Sequence, residues 1–89
     1  MSTTLAQLLN AVPAQQLAQF LDITFSEKEL EQVEERWRIF AGLRQGMSQR
    51  EIAMLTGCGI ATVTRGAKAY RRHADLIDPI LDKLQLRLG

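Results

Sequence analysis

The 89-residue sequence predicts an all-α fold of six helices. Three observations carry that expectation: two capping boxes, apolar residues recurring every three to four positions, and no stretch that alternates like a strand. Glycines and prolines fall between the apolar stripes and divide them. The first stripe, Leu5, Leu8, Leu9 and Val12, stops at Pro13, which suits the start of a following helix because that position needs no amide hydrogen. Leu17, Phe20 and Leu21 form the second. Ser26-Glu27-Lys28-Glu29 is a capping box in which serine hydroxyl and glutamate carboxylate each satisfy a free amide at the helix start. Behind it run Leu30, Val33, Trp37, Phe40 and Ala41, widened by Ile39 and Leu43, and Gly46 is the expected left-handed stop. This is the expected longest helix, with acids at its positive end and Arg44 at its negative end.

A second capping box, Ser48-Gln49-Arg50-Glu51, opens a short helix carrying Ile52, Ala53 and Leu55, which ends at the turn Gly57-Cys58-Gly59. Ile60, Val63, Ala67 and Tyr70 then mark the inner face of another helix. The last stripe, Leu76, Ile77, Ile80, Leu81, Leu84 and Leu88, contains Pro79, which must lie in the first turn or bend the helix. His73 is expected in the loop before it, and Trp37 and Cys58 in the core.

A chain of this length forms one domain, here 1–89, and buries only about 60 to 65% of its unfolded surface. Apolar residues make up 46% of it, so many of them are expected to face a second copy of the chain. One cysteine and one histidine exclude a disulfide framework and a metal ligand set. The N-terminus lacks the basic and apolar regions of a signal peptide, and no run reaches the ~18 apolar residues of a membrane span, so a reducing cytoplasm and no membrane partner are expected. No nucleophile–base–orienter set or phosphate loop stands out, which argues against an enzyme.

The net charge of +1 hides an asymmetry. Residues 1–35 hold one base against six acids, whereas residues 36–72 hold eight bases against one acid, Glu51. Such local basic density attracts polyanions. It coincides with two helices joined by a glycine turn, the helix-turn-helix, whose second helix lies in the DNA major groove. Ala53 is small enough for a close crossing, and Gly57 tolerates positive φ. No acid occurs between Ile60 and Ala74, while Thr62, Thr64, Arg65, Lys68, Arg71 and Arg72 point outward. A helical module binding another protein, the reading from a different class, requires an exposed apolar groove where this chain has threonines and bases.

Met47-Ser48-Gln49-Arg50-Glu51, Gly59-Ile60-Ala61-Thr62-Val63-Thr64-Arg65-Gly66 and Arg36-Trp37-Arg38-Ile39 resemble the tryptophan repressor family, and the close resemblance covers about residues 25 to 70. It implies an intertwined homodimer of six-helix subunits, with 1–24 as dimerisation helices, 48–72 as the DNA-reading head and double-stranded operator DNA as partner. The protein is then a sequence-specific transcriptional repressor with L-tryptophan as corepressor. On this reading Arg50 contacts a guanine edge, Ile60, Ala61, Thr62 and Thr64 face the groove, and Gln49, Lys68 and Arg72 hold phosphates. The resemblance further implies a ligand between Arg36 and Arg65, with Gly66 leaving room for its ring and Phe40 lining the pocket. Phe25 and Ser26 of the other subunit would receive its ammonium group through backbone carbonyls. Ala69 departs from the family's pocket serine, and one residue is deleted ahead of Met47. These departures leave open a regulator that is constitutive or answers to a different small ligand.

Overall fold

A computed structural model describes residues 3–89; Met1 and Ser2, within the expected dimerisation segment, lie outside the described residues. Five α-helices follow in order: α1 (Thr3–Ala11), α2 (Leu17–Thr24), α3 (Glu27–Arg44), α4 (Gln49–Thr56) and α5 (Ile60–Leu84), with a 3-10 turn at Ala14–Gln16. No strand occurs among the described residues. The chain divides into two units, one reaching to Glu31 and one from Gln32 to Gly89.

Both capping boxes form. Ser26 Oγ accepts from the Glu29 amide at 3.1 Å, and Glu29 Oε1 accepts from the Ser26 amide at 2.9 Å. The same pair of bonds joins Ser48 and Glu51, both at 3.1 Å. These backbone donors hold the Glu29 and Glu51 carboxyls below their ordinary range. Gly46, at φ 84°, ends α3: its amide donates to Leu43 and that of Met47 donates to Gly42, the paired bonds of a Schellman stop. Gly57, at φ 76°, ends α4 by the simpler left-handed route, with one bond back to Ala53.

In the unit up to Glu31 neither α1 nor α2 has a buried residue. Leu8, Leu17 and Ile23 are exposed, and an open apolar groove of about 380 Å³ runs between Leu8, Val12, Pro13, Phe20 and Ile23. In the unit from Gln32, Ile39 of α3, Ile52 of α4 and Val63 of α5 are each 0% exposed and form the centre of the core. Phe40, Ala41, Ile77, Leu81 and Leu88 close around them. Trp37 and Cys58 pack against this core while remaining partly exposed.

The last third of the chain departs from expectation in two ways. The helices expected on either side of His73 are joined into α5, in which His73 (φ −129°, ψ 23°) is the only non-helical residue. The expected loop is therefore a one-residue break, and α5 as numbered here holds two helical stretches, 60–72 and 74–84, that meet at the kink. The kink falls there and not at Pro79. The final helix also stops before Leu88. Gln85 adopts φ 52°, and bonds from Gln85 to Asp82 and from Leu86 to Leu81 close a Schellman stop on a residue other than glycine. The tail then returns along α3, where the Gln45 side chain pairs with both backbone groups of Leu88, donating to its carbonyl at 3.0 Å and accepting from its amide at 2.6 Å. Leu88 ends 7% exposed.

Leu88→Ala is expected to destabilise the protein by about 2 kcal/mol or more, the low end for a buried leucine, measured by urea unfolding. A loss under about 0.5 kcal/mol would show the tail to be undocked. Glu51→Gln keeps the capping box but removes its charge. A carboxyl whose folded value is depressed stabilises above its unfolded pKa and loses that contribution as pH falls through the folded one. The wild-type melting temperature is therefore expected to drop more steeply than that of Glu51→Gln between about pH 5 and pH 3, where exposed carboxyls titrate.

Candidate nucleic-acid interface and ligand cleft

The helix-turn-helix, the candidate reading head, consists of α4, the turn Gly57–Gly59 and the first half of α5, set on α3 by two close approaches at glycines. A Cβ at Gly42 would lie 2.8 Å from both Ile52 and Leu88 side-chain carbons, and one at Gly66 would lie 2.8 Å from Ile39 Cγ2. Ala53, expected at the close crossing of α4 and α5, is half-buried against the core. At the turn, the Thr56 hydroxyl bonds the Ile52 carbonyl at 2.7 Å and accepts from the Cys58 amide at 3.3 Å. Burial chiefly pushes the Cys58 thiol up, away from the reactive thiolate.

Of the residues expected to meet DNA, Arg50, Ile60, Ala61, Thr64, Lys68 and Arg72 are exposed, and Gln49 and Thr62 are half-buried. Ile60 also belongs to the apolar stripe expected inside; standing first in α5, it is 54% exposed, so only Val63 and Ala67 of that pair of roles are buried. The Thr64 hydroxyl is engaged within the head, 2.8 Å from Gln49 Oε1 and 2.9 Å from the Ile60 carbonyl. That contact ties α4 to α5 and turns the Gln49 amide so that its NH2 group points away from Thr64. Arg65, Lys68, Arg71 and Arg72 form an exposed basic row on α5, and Glu51 across the turn has its carboxylate held in the capping box.

Arg36 and Arg65 come together at one cleft. With Gln32, Glu35 and Thr62 they line a cleft of about 270 Å³ between α3 and α5. Arg65 Nη2 approaches Thr62 Oγ1 at 3.4 Å, which folds its guanidinium along the helix. Gly66 adjoins this cleft through Arg36 Cδ, 3.7 Å from its would-be Cβ, yet the nearest atom is Ile39 Cγ2. Helix packing therefore demands glycine here whether or not a ligand is present. Phe40 is not a wall of the cleft: its ring is 5% exposed in the core, edge-on to Trp37 at 5.1 Å and tilted against Tyr70 at 6.3 Å. Phe25 and Ser26 lie in the other unit, at the junction of α2 and α3, where the Ser26 carbonyl accepts from the Leu30 amide. Sequence reasoning missed Glu35 as a cleft residue; its signal was its place beside Arg36, one turn beyond Gln32 on the same helix.

This arrangement is that of a helix-turn-helix protein with a basic reading helix. A family model described as Trp repressor protein matches residues 1–85. A Trp operon repressor homolog of Aliivibrio fischeri (strain MJ11) is 35% identical over 75 residues, covering 83% of this chain and 69% of that protein. One from Vibrio parahaemolyticus serotype O3:K6 is 34% identical over 80 residues, 89% of this chain and 75% of its own length. No solved structure matches. The chain belongs to the Trp repressor family, a family of DNA-binding transcriptional repressors and not of enzymes. Among the described residues no helix is long and apolar enough to cross a membrane.

The Gly66 contact is directly testable. Gly66→Ala forces a methyl against a buried isoleucine and is expected to cost about 1–3 kcal/mol in thermal or urea unfolding, with ligand absent throughout. A variant as stable as wild type would mean that Ile39 yields freely and that packing does not require the glycine.

Proposed function

We propose that the protein is a homodimeric, sequence-specific repressor whose grip on operator DNA is set by L-tryptophan or a related indole amino acid held between Arg36 and Arg65. The single observation that carries the DNA reading is the acid-free, exposed basic row of α5 held behind a capped α4. Arg50, exposed at the start of α4, reads a guanine edge, where a guanidinium forms two parallel bonds. Lys68, Arg72 and the free NH2 of Gln49 hold phosphates, and Ile60, Ala61 and Thr62 face the bases. Dimerisation is supported by the lack of any buried residue in α1 and α2 and by the exposure of Leu8, Leu17, Ile23 and Val33. A second copy covering α1 and α2 gives them the apolar burial a single chain lacks.

The ligand reading rests on the cleft. Two guanidiniums across a narrow space suit an aromatic face and a carboxylate together. A ligand wedged between α3 and α5 shifts the head only by its differential affinity for the two helix angles, and operator and ligand then tighten each other by the same factor. Calorimetry with tryptophan and indole analogues, with and without operator duplex, measures that factor. No effect of any of them leaves a helix-turn-helix regulator that is constitutive or takes a different ligand.

The DNA roles separate by mutation. Lys68→Ala is expected to weaken binding to all duplexes alike and to reduce the salt slope by about one unit, whereas Arg50→Ala costs ~1–3 kcal/mol at its own base pair. Equal behaviour of the two variants on selected and random duplex refutes the division of roles.

A further inference from the structure

At His73 the backbone of α5 leaves the helical φ/ψ region, so the chain kinks between its first half, Ile60–Arg72, and its second half, and helix geometry alone does not fix the angle between them. Side chains bridge the break instead. The Tyr70 hydroxyl, before it, donates to Asp78 Oδ1, after it, at 2.7 Å. The same oxygen lies 3.2 Å from Arg44 Nη1 at the end of α3, whose Nη2 reaches Asp82 at 3.1 Å. Arg44 and the two carboxylates thus tie the second half of α5 to α3, and the Tyr70 phenol ties the first half to the same carboxylate. We propose that Tyr70, Asp78 and Arg44 form a latch that sets the angle of the reading half, which makes Tyr70 and Asp78 positioning residues for DNA recognition although neither touches DNA.

The chemistry suits a latch. Packing against Phe40 needs only the ring of Tyr70, so the hydroxyl is surplus to the core and its bond to Asp78 is the reason for a tyrosine. Arg44 keeps the Asp78 carboxylate charged and oriented, and a phenol donating to a carboxylate makes a short, directional bond. The groups are partly shielded: Arg44 and Asp78 side chains retain 36% and 35% exposure, and Tyr70 is half-buried. A one-residue break braced in this way is a hinge with a preferred setting. Changing that setting moves the basic row, Lys68, Arg71 and Arg72, relative to the groove.

The proposal rests on the DNA-binding reading, and its test contains arms that do not. Tyr70→Phe, Asp78→Ala and the double variant are compared with the wild-type full chain. Tyr70 is the chain's single tyrosine, so ultraviolet absorbance follows its ionisation alone. The wild-type phenol is expected to ionise above its ordinary range, burial being the main cause and the Asp78 acceptor adding to it, and Asp78→Ala is expected to bring it down. Hydrogen exchange at the amides of 71–77 is expected to accelerate in the variants while α3 and α4 stay protected. Preference for the duplex that wild-type protein selects from a randomised library, over random duplex, is expected to fall roughly three- to tenfold, the range in which single residues modulate coupling. The double variant is expected to lose no more than the worse single one. An ordinary wild-type phenol, unchanged exchange at the hinge, or equal weakening on both duplexes with faster exchange everywhere each overturns the latch. Failure of wild-type protein to select any duplex counts against the DNA-binding reading, and the exchange and titration arms then decide the latch by themselves.

Discussion

The rest of the reading unit depends on how closely α5 lies against α3. With no side chain at Gly66, the α5 backbone presses on Ile39, which is wholly buried. Val63, one turn earlier on α5, and Ile52 of α4 complete the same contact. Arg36 precedes Ile39 by one turn and Arg65 adjoins Gly66, so this one approach also sets the distance between the walls of the polar cleft. Any atom added between Ile39 and Gly66 changes core, cleft and reading helix together. Close-packed interiors transmit strain in this way because they have no slack to absorb it.

What was legible in the sequence is what local chemistry decides. A capping box needs only four consecutive residues, and both Ser26–Glu29 and Ser48–Glu51 close as written. Gly46 and Gly57 end their helices because few residues other than glycine tolerate positive φ. The candidate reading face was visible for a similar reason: exposed positions between Ile60 and Ala74 tolerate either charge, so a one-sided choice stands out.

What stayed hidden depends on distant partners. Gln85 gives no local sign of a helix stop; its left-handed turn is supported by the docking of Leu88 beside Gln45, 43 residues away in sequence. Periodicity alone carried the helix on through Leu88. Periodicity placed Phe40 in the apolar stripe of α3, and only the family resemblance made it a pocket wall; Trp37 and Tyr70 enclose its ring in the core. Two apolar stripes around His73 look like two helices whether the join is a loop or one distorted residue, since both shift the phase of the pattern. Gly66 was legible as a place needing space, but whether ligand or isoleucine fills that space depends on how closely α3 and α5 approach.

The returning segment after Gln85 has a consequence for how α4 is held. Leu88 fills the notch that Gly42 leaves beside Ile52, and a Cβ built at Gly89 would stand in ordinary contact with Met47 and Leu55. Leu88 is thus a piece of this unit's interior and not a fringe. The Gln45 side chain tethers it, so opening those two bonds frees the segment and empties the place beside Ile52. Support for the helix that leads into the basic row then rests on a single glutamine placed just past the end of α3.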